Sequence, residues 1–163
     1  MARRVFFSFY YERDIWRASR VRNSWVAKKD REEAGFWDSA SWEETKKKGE
    51  ETIKRWIRDQ LSGTSVTVVL VGSETCNRDY VRYELEQSWK RGNGILGIHI
   101  HQMKDSESKT DKKGDITFGD IFTNTSDDKK YFFERFKVYD WVDDDGYNNL
   151  GDWVERAAKQ AGK

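Results

Sequence analysis

The chain has 163 residues, 36% of them charged and 36% hydrophobic, with 15% aromatic and a net charge of +1. That size and aromatic share fit one domain with a real core and exclude a disordered chain, while the near-zero net charge excludes a globally basic nucleic-acid binder. No apolar run approaches the roughly 20 residues needed to span a bilayer, and Cys76 has no second cysteine to pair with.

Val5–Tyr10 ("VFFSFY") is a short β-branched and aromatic run bounded by charge, and reads as a buried first strand. The charges at Glu12, Arg13 and Asp14 cut it too short for an export signal, so the expected location is the cytoplasm, where one unpaired thiol is stable. Ala18, Val21 and Trp25 then recur at helical spacing. Gly35–Asp38 ("GFWD") reads as a short second strand. Ser41-Trp42-Glu43-Glu44 is a capping-box pattern, predicting one helix with a stripe through Gly49, Ile53, Trp56 and Ile57 and an end near Gly63.

Ser65–Gly72 ("SVTVVLVG") is apolar almost throughout, as expected of a parallel strand covered on both faces. The next helix places Val81, Leu85 and Trp89 inward. Gly94–Ile100 and Phe136–Val142 read as the last two strands, and Leu150, Trp153, Val154 and Ala157 mark a C-terminal helix. Residues 102–135 form a polar stretch too long for an ordinary connection, predicting an exposed insertion with room for one short helix.

Strands alternating with helices over a single domain, residues 1–163, imply a doubly wound α/β fold with a five-stranded parallel sheet. The expected order is the flavodoxin-like 2-1-3-4-5. Ligands of such sheets bind at the carboxyl edge where strand order reverses, between strands one and three. Two loops frame that crevice: Phe9-Tyr10-Tyr11-Glu12, and Gly72 to Asn77 with Ser73 near its start. The second leads into the helix carrying Tyr80 and Glu84. At 100° per residue Glu84 lies about 60° from Val81, on the flank of the apolar stripe. It is therefore either a surface charge paired with Ser88 or Lys90, or a carboxylate aimed with Tyr80 into the crevice.

Several chemistries lack their residues. "FYYE" and "VGSE" stand where a phosphate-accepting receiver would need acids, no Walker or GxGxxG loop is present, and His99 and His101 with one cysteine make no convincing zinc set. No metal or prosthetic group is expected. Cys76 served by a histidine is a possible nucleophile. A carboxylate facing aromatic rings suits a ligand whose glycosidic bond breaks to leave positive charge on a sugar.

"VFFSFYYERD" resembles the first box of Toll/interleukin-1 receptor (TIR) domains. "VTVVLVGSETCNRDYVRYELEQS" resembles their third strand and Trp-Cys-x-x-Glu segment, with Tyr80-Val81 standing for Trp-Cys. With "VRNSWV" and "GILGIHI" in order and spacing, the chain is most similar to the stand-alone ThsB subunits of Thoeris anti-phage systems, well over residues 1–101 and weakly beyond. The resemblance implies a TIR fold and an enzyme that cleaves NAD+ as substrate and makes a cyclic ADP-ribose isomer. That diffusible signal would act on a ThsA-type effector after a phage-derived trigger, with self-assembly as a further expectation and no nucleic acid or membrane partner.

The family's catalytic glutamate maps onto Glu84, its aromatic onto Phe9 or Tyr10, and its loop serine onto Ser73. Tyr11, Tyr80, Asn77 and Arg78 complete the expected substrate-binding set, with Arg78 or Arg82 meeting the diphosphate. A non-catalytic TIR interaction module, contacting partners through Asp38–Trp42 or the insertion, is the alternative.

Overall fold

The computed structural model describes residues 3–34, 39–118 and 132–163. Its sheet runs β2-β1-β3-β4-β5, all parallel: β1 is Arg3–Ser8, β2 Arg31–Ala34, β3 Val66–Val71, β4 Gly94–His99 and β5 Val138–Asp140. This is the doubly wound order expected from the alternation of strands and helices. The helices are α1 (Tyr11–Val26), α2 (Ser39–Lys47), α3 (Glu50–Leu61), α4 (Asp79–Lys90), α5 (Phe132–Arg135) and α6 (Gly146–Gln160).

β3 is buried along its whole length. Val66, Val68 and Leu70 join the core that includes Trp25 of α1 and Trp153 and Val154 of α6, while Val69 and Val71 meet Val81 and Leu85 of α4. Strand side chains alternate between faces, so only a strand covered by helices on both sides can be apolar at every position. Gly94 begins β4 where α6 crosses it; a Cβ there would run into the backbone carbonyl of Ala157. Gly94→Ala should therefore lower stability by roughly 1–3 kcal/mol, read as a lower urea midpoint, because a helix backbone cannot step aside as a flexible side chain can.

Four expectations need correction. The second strand is Arg31–Ala34, "REEA", and not Gly35–Asp38, which lies outside the described residues. As an edge strand it pairs with β1 through its backbone, and charge there discourages pairing with other chains. Its side chains are tied back to α1: Glu33 accepts from Arg22 at 2.6 Å, and the Arg31 guanidinium lies 4.6 Å from the Trp25 ring centroid.

The single helix expected from Ser41 is two. α2 starts at Ser39, ahead of the capping-box serine, and Gly49 separates it from α3 with φ of +94°, in the region that favours glycine. Gly49 is exposed, and the buried stripe is Ile53, Ile57 and Leu61.

Trp89 does not face inward. It is 38% exposed and packs edge-on against Phe136, while Ser88 takes the buried position and shares a 2.7 Å hydrogen bond with Thr67.

The stretch after β4 is not simply exposed either. Residues 102–118 form a strap over the carboxyl end of the sheet, with Met103 and Phe118 buried. Arg17, itself buried, donates to the carbonyls of Met103 at 2.7 Å and Lys109 at 3.0 Å, fastening the strap to α1. α5 supplies the short helix; residues 119–131 lie outside the described set.

Candidate functional site

β1 ends at Ser8, and beyond its carboxyl end, between the chain leaving it, α2, α3 and the start of α4, opens a cavity of about 330 Å³; the 72–77 loop expected to frame the crevice does not line it. The chain leaving β1 delivers Phe9, Tyr10 and Tyr11 to it, α4 delivers Tyr80, Val81 and Glu84, and α3 supplies an apolar wall of Ile53 and Ile57. Tyr11 lies 5.5 Å from the ring of Trp42 on α2, which meets Tyr80 edge-on at 6.3 Å. These rings and aliphatic chains leave few groups able to solvate a charge inside.

Glu84 is the exception. Its position three residues after Val81 and one before Leu85 turns it toward the sheet, so a carboxyl sits where an apolar side chain would be expected. It is 3% exposed and lines the cavity. Neither Glu84 Oε2 nor the Ser8 hydroxyl has a hydrogen-bond partner among the described residues. Burial pushes the carboxyl's pKa well above the usual range, and the facing Ser8 hydroxyl offsets only part of that rise. The surface pairings weighed from sequence are taken up otherwise. Lys90 holds Glu86 at 2.8 Å, and the Ser88 hydroxyl donates to the backbone carbonyl of Glu84 rather than to its carboxyl.

The mouth is charged. Lys46 Nζ lies 2.7 Å from Glu12 Oε1, the Tyr10 hydroxyl donates to Glu12 Oε2 at 3.2 Å, and the Arg78 guanidinium covers the Tyr10 ring at 4.0 Å while pairing with Glu74 at 3.2 Å. The Lys46 contact holds the Glu12 carboxyl below its usual range and raises the Lys46 ammonium.

Of the residues singled out from sequence, Phe9, Tyr10, Tyr11, Tyr80, Arg78 and Glu84 come together at this cavity. Ser73 and Asn77 do not line it. The Ser73 hydroxyl donates to Asp111 of the strap at 2.9 Å, and Asn77 is exposed in a 3-10 turn. Arg82 is turned aside, its Nε donating to the carbonyl of Cys76 at 3.1 Å. Cys76 itself is buried under the strap and accepts from the Phe118 amide at 3.2 Å, a setting that suits packing rather than attack. His99 ends β4 and His101 follows it, both outside the cavity lining; burial pulls His99 down to about 4, so it is neutral at physiological pH.

Trp42, Lys46, Ile53 and Ile57 were missed as cavity residues. The signal available was the glycine at 49 after three lysines, which breaks the helix and swings α2 over the crevice.

The family model for the Thoeris protein ThsB, TIR-like domain, matches residues 6–105. A Bacillus cereus (strain MSX-D12) protein provisionally named cyclic ADP-D-ribose synthase ThsB1 is 38% identical over 191 residues, spanning 94% of this chain and all of that relative.

Proposed function

Because the chain belongs to the ThsB family of TIR-like Thoeris proteins, we propose that it cleaves the nicotinamide–ribose bond of NAD+ and closes the remaining ADP-ribose into a cyclic isomer, with Glu84 as the catalytic carboxylate. The observation that carries this reading is the Glu84 carboxyl, 3% exposed, set against the aromatic and aliphatic inner wall of a cavity beside the carboxyl end of β1.

The bond that breaks carries its electron pair onto the pyridinium nitrogen. Nicotinamide therefore departs neutral, needs no general acid, and leaves a cation on the ribose. An ionised Glu84 stabilises that cation and orients the ribose hydroxyls. Burial keeps this carboxyl protonated to higher pH than usual, and the positive pyridinium of an arriving substrate favours its ionisation. The aromatic wall excludes water, so a nucleophilic atom of the same ADP-ribose captures the sugar carbon, and the proton it loses passes to the Glu84 carboxylate. Phe9, Tyr11, Trp42 and Tyr80 supply the rings against which nicotinamide or adenine packs.

The cyclic product then serves as a diffusible signal to a ThsA-type effector once a phage-derived trigger is present. The chain works in the cytoplasm, where its substrate is, and self-assembly belongs to the same reading. Support for this wider setting is the family's Thoeris membership. Among the described residues no helix is long and apolar enough to cross a membrane.

The test is mass spectrometry of NAD+ incubated with extract of phage-infected cells expressing the wild-type chain. Free nicotinamide and a cyclic ADP-ribose isomer are expected. A chain that yields neither, infected or not, is a docking module.

A further inference from the structure

We propose that Lys46 and Arg78 form a diphosphate clamp at the cavity mouth, and that Glu12 and Glu74 hold these cations in place until a diphosphate displaces them. The inference rests on the NAD+-cleaving reading and adds how the substrate is oriented.

Glu84 occupies the buried end of the cavity, and the other charged residues that line it are Lys46 and Arg78, its two cations among the described residues, with Glu12, Asp79 and Glu50, the last paired with Lys54. Lys46 and Arg78 flank one pair of groups: Lys46 contacts Glu12, Glu12 accepts from Tyr10, and Arg78 lies over the Tyr10 ring. Two cations on either side of a shared centre match the two phosphates of a dinucleotide better than they match a single charge.

Both carboxylate contacts are easily exchanged. The Lys46 and Glu12 side chains are 52% and 44% exposed, and those of Arg78 and Glu74 are 39% and 47% exposed, so solvent screens each pair. Neighbouring cations are committed elsewhere: Arg82 to the Cys76 carbonyl, and Lys54 to Glu50 at 3.0 Å with its ammonium over Tyr83.

A substrate gripped at the mouth by its diphosphate presents its nicotinamide ribose inward, toward Glu84. This remote grip holds the diphosphate alike in the ground and transition states, so it acts on KM rather than on kcat.

The test is calorimetric titration of ADP-ribose and, separately, adenosine into wild-type protein, Lys46→Ala, Lys46→Arg and Glu12→Gln, alongside steady-state kinetics with NAD+. Lys46→Ala should weaken ADP-ribose about tenfold and leave adenosine unchanged. It should raise the KM for NAD+ by a similar factor with kcat within about twofold, and the difference should shrink as salt rises. Lys46→Arg should recover most of the loss, and Glu12→Gln should bind ADP-ribose several-fold more tightly because the competing carboxylate is gone. Equal ADP-ribose affinity in wild type and Lys46→Ala overturns the clamp, as does an equal loss of adenosine affinity, which would mark Lys46 as merely structural. If the titrations behave as expected while wild-type protein never releases nicotinamide, the clamp stands and the cleavage reading falls.

Discussion

Glu84→Gln should lower nicotinamide release by about 10²–10³-fold or more, while making the folded chain more stable above mildly acidic pH. The two effects have one cause. Burial raises the Glu84 carboxyl well above its ordinary value of 4.5, so the folded chain resists ionising it while the unfolded chain does not. The stability that a protonated Glu84 provides is fully present below about pH 4.5 and is lost as pH climbs through the raised folded-state value. Glutamine is neutral throughout, so thermal melts of variant and wild type should nearly coincide at pH 4 and diverge toward pH 8, with the variant higher. Cleavage needs the ionised carboxylate, so wild-type turnover should rise with pH over the same interval. A variant that releases nicotinamide at the wild-type rate would remove Glu84 from the chemistry.

Arg17→Ala should be the most destabilising single change among the residues that frame the crevice, on the order of 3–5 kcal/mol. Arg17 and Asp14 are both buried, with Nη1 and Oδ1 3.3 Å apart, and Asp14 Oδ2 has no hydrogen-bond partner among the described residues. Truncation strands that carboxylate and also frees the strap carbonyls of Met103 and Lys109. Asp14 already titrates near 6, raised by burial and held back chiefly by Arg17. Without the guanidinium it rises further, so the folded variant keeps Asp14 protonated to higher pH. The loss should therefore be smaller at pH 5 than at pH 8, where the unfolded chain ionises freely and the folded chain cannot. Urea unfolding at the two pH values checks both size and sign. A loss below about 1 kcal/mol at pH 8 would show that this buried pair does not anchor the strap.

The sheet order was legible because it needs only coarse signals. "SVTVVLVG" and "GILGIHI" are too uniformly apolar to be anything but covered strands, and alternation with helices then restricts the topology to a few right-handed windings. β2 was misplaced because an edge strand is held by backbone pairing with β1, and "REEA" has no periodic apolar signature to announce it. Trp89 was misassigned for the converse reason: helical spacing puts residues 88 and 89 on adjacent flanks, and packing chose the small Ser88 to fit against Thr67.

Residue types and local spacing were enough to establish a parallel doubly wound sheet, an aromatic run at the end of its first strand, and one acid on the flank of the helix that follows the third. They were enough because covalent order and periodicity place these features without reference to distant contacts. Folding at long range settled the rest: that Glu84 has no charged partner among the described residues, that Trp42 and Lys46 arrive from α2 to complete walls and mouth, and that Ser73 is engaged by the strap instead of the cavity. A carboxyl's desolvation and the closure of a cavity depend on atoms from elements far apart in sequence, and their positions exist only once the sheet has brought those elements together.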